Sequence, residues 1–172
     1  MGRDLKTIVG LILVALILVL AGCITVTLKK KGSGSVNTNQ TGYSYDIPIL
    51  YSGNISAGSI QFEFVCADAD IDIVSVSTGQ IAGNAMLKYN TYERGRAIIG
   101  ILDAAGIRGD GELIKINVSA HDNSHPVRLS LENVMIYDAN KMEPVLFETN
   151  VGSLDPVTGT VVAPSLKYLP EK

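Results

Sequence analysis

Apolar and polar residues alternate along most of this chain after residue 43, and the period is two. Tyr45, Ile47 and Ile49 form one set; Ile60, Phe62, Phe64 and Cys66 form another, interleaved with Ser59, Gln61, Glu63 and Val65. Ile71 and Ile73 oppose Asp72, Val74 and Val76, and Leu113, Lys115 and Asn117 oppose Ile114, Ile116 and Val118. Val127, Leu129 and Leu131 continue the pattern, Val134–Tyr137 follow, and Val145–Phe147 and Thr158–Ala163 are later candidates. Successive side chains of a strand point to opposite faces, so each set predicts a strand with one face in a core. Arg96–Leu102 is instead a nearly continuous apolar run. Pro48 donates no ladder hydrogen bond and predicts an edge or a bulge. Ser52-Gly53-Asn54, Thr78-Gly79, Glu93-Arg94-Gly95, Gly109-Asp110-Gly111 and Asp138-Ala139-Asn140 are turn signals between the runs. Many short strands separated by such turns predict an all-β, two-sheet sandwich over residues 43–172.

The N-terminus has a different pattern. Ile8 to Leu28 is an uncharged run of 21 residues. As a helix it would be roughly 31 Å long, which matches a hydrocarbon core of about 30 Å. Arg3 and Lys6 precede it and Lys29, Lys30 and Lys31 follow. Residues 1–28 therefore predict a membrane anchor. Leu20-Ala21-Gly22-Cys23 also resembles a lipobox, which would make Cys23 a lipidation site after cleavage. The apolar run continues through Ile24, Val26 and Leu28, which favours an uncleaved transmembrane helix. Residues 29–42 are polar and rich in Gly, Ser and Asn, so they read as a flexible tether with a coil reach of roughly 20 Å.

The formal charge of −3 gives no basic field and excludes nucleic acid as the expected partner. The basic residues flanking the apolar run are nearly balanced in number, so they do not orient it. Three sequons, at Asn39, Asn54 and Asn117, point to an exterior surface and are candidate glycosylation sites. The two cysteines, Cys23 and Cys66, fall in the anchor and the domain, so no disulfide is expected; Cys66 shares its parity with Phe62 and Phe64 and reads as a core residue.

Asp68, Asp70 and Asp72 alternate like the start of a calcium loop, but Ile73 and Gly79 stand where that loop needs Gly and Glu, so a polar turn is the expectation. His121 and His125 are four apart, a zinc-pair spacing on a helix. Their Asn- and Ser-rich surroundings and Pro126 predict a solvated hairpin loop instead. No nucleophile elbow, phosphate loop or paired acid motif stands out, and the domain reads as a binding module rather than an enzyme, with no cofactor and no metal.

A family resemblance joins these pieces. Ala57–Phe64, Ile71–Gly79, Gly95–Gly100, Gly106-Ile107-Arg108-Gly109-Asp110-Gly111, Leu129–Val134 and Asp138-Ala139-Asn140, in this order and spacing, resemble the strands and turns of cohesin domains. The resemblance spans roughly Tyr43 to Leu154. Thr41–Ile47 departs from the family's usual opening strand. The family implies a nine-stranded jelly roll that recognises a calcium-loaded dockerin module, within a superfamily of carbohydrate-binding sandwiches. One flat sheet face of a cohesin receives the partner. By this likeness the partner-binding positions are Ser59, Gln61 and Glu63 on one strand and Ala97, Ile99 and Ile101 on another, with Tyr89 and Met142 nearby. Ile98, Gly100 and Leu102 have the opposite parity, so burial of this strand on both faces is the alternative reading. The expected function is a membrane-anchored, cell-surface module that holds a dockerin-type partner. Direct polysaccharide binding through Tyr89, Tyr92 and Tyr137 is the alternative, and a structural role in the cell envelope is another.

Overall fold

A computed structural model of the chain describes residues 42–66, 70–121 and 125–170. Residues 1–41, which hold the apolar run with Cys23 and most of the expected tether with Asn39, and Asp68 lie outside these residues. The described domain is all-β. Its strands are β1 (Tyr43–Cys66), β2 (Ile71–Thr78), β3 (Met86–Glu93), β4 (Arg96–Ala120), β5 (Val127–Asp138), β6 (Phe147–Asn150), β7 (Gly152–Asp155), β8 (Thr160–Val162) and β9 (Ser165–Tyr168). One 3-10 turn, Gln80–Ala82, follows β2.

Two strands are far longer than the alternation predicts, β1 with 24 residues and β4 with 25. Straight, each would reach roughly 80 Å at the usual strand rise, more than twice the width of a domain this size. They bend together. The predicted turns at Ser52-Gly53 and Gly109-Asp110 are cross-strand partners, with Ser52 opposite Asp110 and Gly53 opposite Gly109. The register shifts between Gly53 and Ala57, and again before Ser59. Gly109 and Gly111 take φ of 91° and 155°, conformations that a side chain resists. The Gly-Asp-Gly signal is therefore a corner at which one antiparallel pair crosses between sheets, not a turn that ends a strand. A bulge of this kind bends and twists a ladder without ending it.

The first half of β1 and the second half of β4 lie in one sheet, with β2 pairing β4 and β9 and β6 on the other side of β1. The second half of β1 and the first half of β4 lie in the other, in the order β3-β4-β1-β5-β7-β8. Ile47, Ile49 and Tyr51 from the first half of β1 share one buried cluster with Ile60, Phe62 and Phe64 from the second. The two halves are thus folded onto each other as a β-sandwich. Each of these large side chains contributes about 1.5–3 kcal/mol by leaving water.

Most of the predicted inward sets are inward. Ile60, Phe62, Phe64, Ile114, Ile116, Val118 and Leu129 are fully buried. Cys66 lies in the core as expected, and burial pushes its thiol up to about 12. Pro48 sits one residue before the register shift at Ile49/Leu50, where β1 is paired to β4 but not yet to β9. Its missing N–H therefore leaves no ladder bond unmade. The opening strand, which departs from the family's usual pattern, runs in continuous register from Tyr43 opposite Ala120 to Ile49 opposite Ile114. β3, β7 and β9 carry little alternation, so the sequence pattern does not predict them.

Candidate protein-docking face

The outer face of the β3-β4-β1-β5 sheet is built in rows by the register. Met86, Leu102, Ser59 and Tyr137 form one row across the four strands. Lys88, Gly100, Gln61 and Met135 form the next. Asn90, Ile98 and Glu63 follow, opposite Glu132 of β5. The apolar members are open to solvent: Leu102 is 53% exposed, Ile98 45% and Tyr137 40%. A contiguous apolar area with polar residues around it marks an interaction surface.

This register corrects the parity expected for β4. Ala97, Ile99 and Ile101 are buried in the core. The outward residues are Ile98, Gly100 and Leu102, because Glu63, Gln61 and Ser59 pair with them in turn. Both faces of the strand are apolar, so composition alone could not orient it. The sheet partner does so, since Gln61 must stay wet and Phe62, opposite Ile99, must not.

Ser59 and Gln61 lie on the outer face as expected. Glu63 shares it but is covered. Its Oε1 accepts hydrogen bonds from the Tyr92 hydroxyl and from Arg96 Nη1, the latter at 2.7 Å, and its Oε2 accepts one from Asn133 Nδ2 at 2.9 Å. A bulge positions the last donor. Gln61 pairs with Met135 but Glu63 pairs with Glu132, and Asn133 in the extra length takes φ of 49°. These bonds, led by the one from Tyr92, hold the Glu63 carboxyl below its usual range against the opposing effect of burial. Glu63 thus braces Tyr92, Arg96 and Asn133 at one end of the face. Tyr89 is exposed but pairs with Ile99, so it lies on the edge of β3 and not on the outer rows.

At the opposite end is an apolar groove of about 440 Å³, walled by Gly58, Leu102, Tyr137, Ala139 and Met142. Met142 is 78% exposed and holds φ of 57° in the turn after β5. Asp138 builds that turn. Its Oδ1 accepts the N–H groups of Asn140 and Lys141 at 2.7 and 2.9 Å, and its carbonyl accepts that of Met142 at 3.0 Å. The two backbone bonds, Lys141's first, hold the Asp138 carboxyl below its usual range. Between groove and brace lies Gly100. A Cβ there would meet nothing nearer than the Lys88 carbonyl at 4.0 Å. The fold does not require glycine at this central position. It leaves a flat patch of backbone on the face.

The other candidates are dispersed. His121 is part-buried, with Nε2 2.7 Å from Asp72 Oδ2, and its N–H donates to the Asp70 carbonyl at 2.9 Å. The expected solvated His121–His125 loop is therefore corrected at its first residue, which clasps the end of β4 to the start of β2; residues 122–124 lie outside the described residues. Arg94 bridges Asp70 and Asp72. Among the described residues no cluster of His, Cys, Asp and Glu could hold a metal. Asn54 is exposed at the β1 corner. Asn117 lies within the ladder, flanked by β1 and β2, and its Nδ2 donates to Asp46 Oδ1 at 2.8 Å.

No protein family's model matches the chain, and no curated protein matches it. Solved structures do. The CaCohA2 module of a CaDoc0917–CaCohA2 complex aligns over 75% of this chain and 91% of its own, with TM-score 0.53 and 13% identity. A cohesin module from a Clostridium perfringens family 33 glycoside hydrolase aligns over 66% of this chain and 95% of its own, with TM-score 0.51 and 15% identity.

The domain has the cohesin fold.

A non-cellulosomal cohesin from Archaeoglobus fulgidus also matches, at TM-score 0.45 and 18% identity, over 74% of this chain and 92% of its own. At such identities the likeness is one of fold, and the side chains of the outer face belong to this chain.

Proposed function

We propose that this chain is a membrane-anchored cohesin-type module that holds a dockerin-type protein partner at the cell exterior. The observation that carries the reading is the outer face of the β3-β4-β1-β5 sheet. Leu102, Ile98, Met86, Met135 and Tyr137 are exposed together on the outer face of four paired strands. A partner gains most from residues it can desolvate at the centre of such a patch. Gly100 supports close backbone approach there. The likeness to CaCohA2, solved in a complex with CaDoc0917, favours a dockerin-type partner. The apolar length of Ile8–Leu28 supports the anchor, and the sequons support the exterior location. The work of the module on this reading is binding, not catalysis.

The test is surface plasmon resonance of the full chain against a panel of calcium-loaded dockerin modules. Binding that is lost in EDTA and reduced at least about a hundredfold by Leu102→Asp is the expected outcome. No binding across the panel, or binding indifferent to Leu102→Asp, overturns the proposal.

A further inference from the structure

The chain has four methionines, and apart from Met1 they are Met86, Met135 and Met142. Methionine commonly fills irregular gaps in a core. Here the core cluster of the described residues contains none. The three are 59%, 45% and 78% exposed. They also share one face. Met86 pairs with Leu102, Met135 pairs with Gln61 in the next row, and Met142 walls the groove beside Leu102 and Tyr137. Met142 stands in a left-handed conformation that a non-glycine residue adopts at a cost, in a turn capped by Asp138. The other sulfur among the described residues, Cys66, is buried. Its thiol is held protonated by that burial, and a protonated thiol is a poor nucleophile. A peroxide approaching the folded domain therefore meets reactive sulfur on this face and not in the core.

We propose that Met86, Met135 and Met142 form a peroxide-sensitive modification site whose oxidation releases a docked partner. The release step rests on the docking reading above; the modification does not. In the reaction a thioether sulfur attacks one oxygen of hydrogen peroxide. The O–O bond breaks and the S–O bond forms. Sulfur is oxidised by two electrons, and the hydrogen on the transferred oxygen passes to the departing hydroxide, giving water. The product sulfoxide is polar, so an apolar patch becomes hydrated and loses the burial that favours docking. The fold survives, because no strand depends on packing these side chains.

The experiment treats the full chain with dilute hydrogen peroxide and maps oxidised peptides by mass spectrometry. Circular dichroism melts, fluorescence of the apolar dye ANS and binding to the dockerin panel are read on the same samples. The expected result is oxidation of all three methionines at least about tenfold faster than Cys66, following exposure and thiolate character. The melt is unchanged, and dye and dockerin binding both fall. The variant Met86→Leu, Met135→Leu, Met142→Leu, in which leucine keeps the apolar volume, retains both after peroxide. Cys66 reacting first, a collapsed melt, or dye binding that persists in the oxidised chain overturns the proposal. If the untreated chain binds no dockerin, the docking reading and the release step fail, and the peptide map and the dye still decide whether the face is the oxidised surface.

Discussion

The two outer faces of the sandwich share the same long strands but differ in composition. On the sheet formed by β2, the second half of β4 and the first half of β1, the outward rows are Asp72, Ser119 and Ser44; Ser75, Asn117 and Asp46; and Ser77, Lys115 and Pro48. Asn117 binds Ser44 and Asp46, and Lys115 Nζ lies 3.8 Å from Asp46. Tyr43 at the start of β1, Leu50, and Val74 at the β2 register shift are the large exposed apolar residues on those strands. On the opposite sheet, one corner further along the same β1 and β4, the outward rows hold Met86, Leu102, Ile98, Met135 and Tyr137. Both faces are compatible with the same buried core. The fold therefore has no need of the apolar one, and the difference between them is the part of the molecule left for function to explain.

The largest effect should come from crossing to the wrong side of the docking face. Ile99→Asp buries an unpaired carboxylate in the core and should cost at least about 4 kcal/mol, enough to abolish the urea unfolding transition or move it to very low denaturant. Ser77→Asp, on the polar face, should change stability by less than about 0.5 kcal/mol and leave partner binding unchanged. If Ile99→Asp folds as well as Ser77→Asp, the assigned parity of β4 is wrong.

Acid should act next, and at one end of the docking face. The Glu63 carboxyl is lowered in the folded state by Tyr92, Asn133 and Arg96. Its contribution is therefore fully present above the ordinary glutamate value of about 4.3 and is lost as pH falls through the lower folded value. Thermal melts from pH 6 down to pH 3 should show a loss of stability that is smaller in Glu63→Gln. Equal slopes in the two proteins would show that the brace does not couple to folding.

The smallest effect separates packing from docking. Gly100→Ala has room for its Cβ and should raise stability by about 0.5–1 kcal/mol, because alanine loses less backbone freedom on folding. The same change should weaken dockerin binding roughly tenfold if a partner approaches the backbone closely there. A variant that is more stable and binds as before would remove Gly100 from the interface.

Much of this was legible before the structure. Ile60, Phe62 and Phe64 announce an inward face by alternation, and Ser59, Gln61 and Glu63 announce the outward one. Arg96–Leu102 announces a strand but hides its orientation, because Ile98 and Ile99 are chemically the same residue in different environments, 45% and 0% exposed. Glu63 looked like a wet docking residue. Its donors Tyr92 and Asn133 lie 29 and 70 residues away in the chain, so no local pattern could reveal the brace. Met86, Met135 and Met142 are likewise dispersed, and Leu102 has the parity opposite to that of Ala97, Ile99 and Ile101.

The amino-acid order alone determined an apolar N-terminal run, a polar stretch rich in Gly, Ser and Asn after it, and a strand-rich domain with its core positions, because period-two burial is a local property of each strand. Only the tertiary structure decided that two turn signals are one corner, which side of β4 meets solvent, and which scattered side chains share a face. Those depend on pairing between residues distant in sequence, where a register shift of one position exchanges inside for outside.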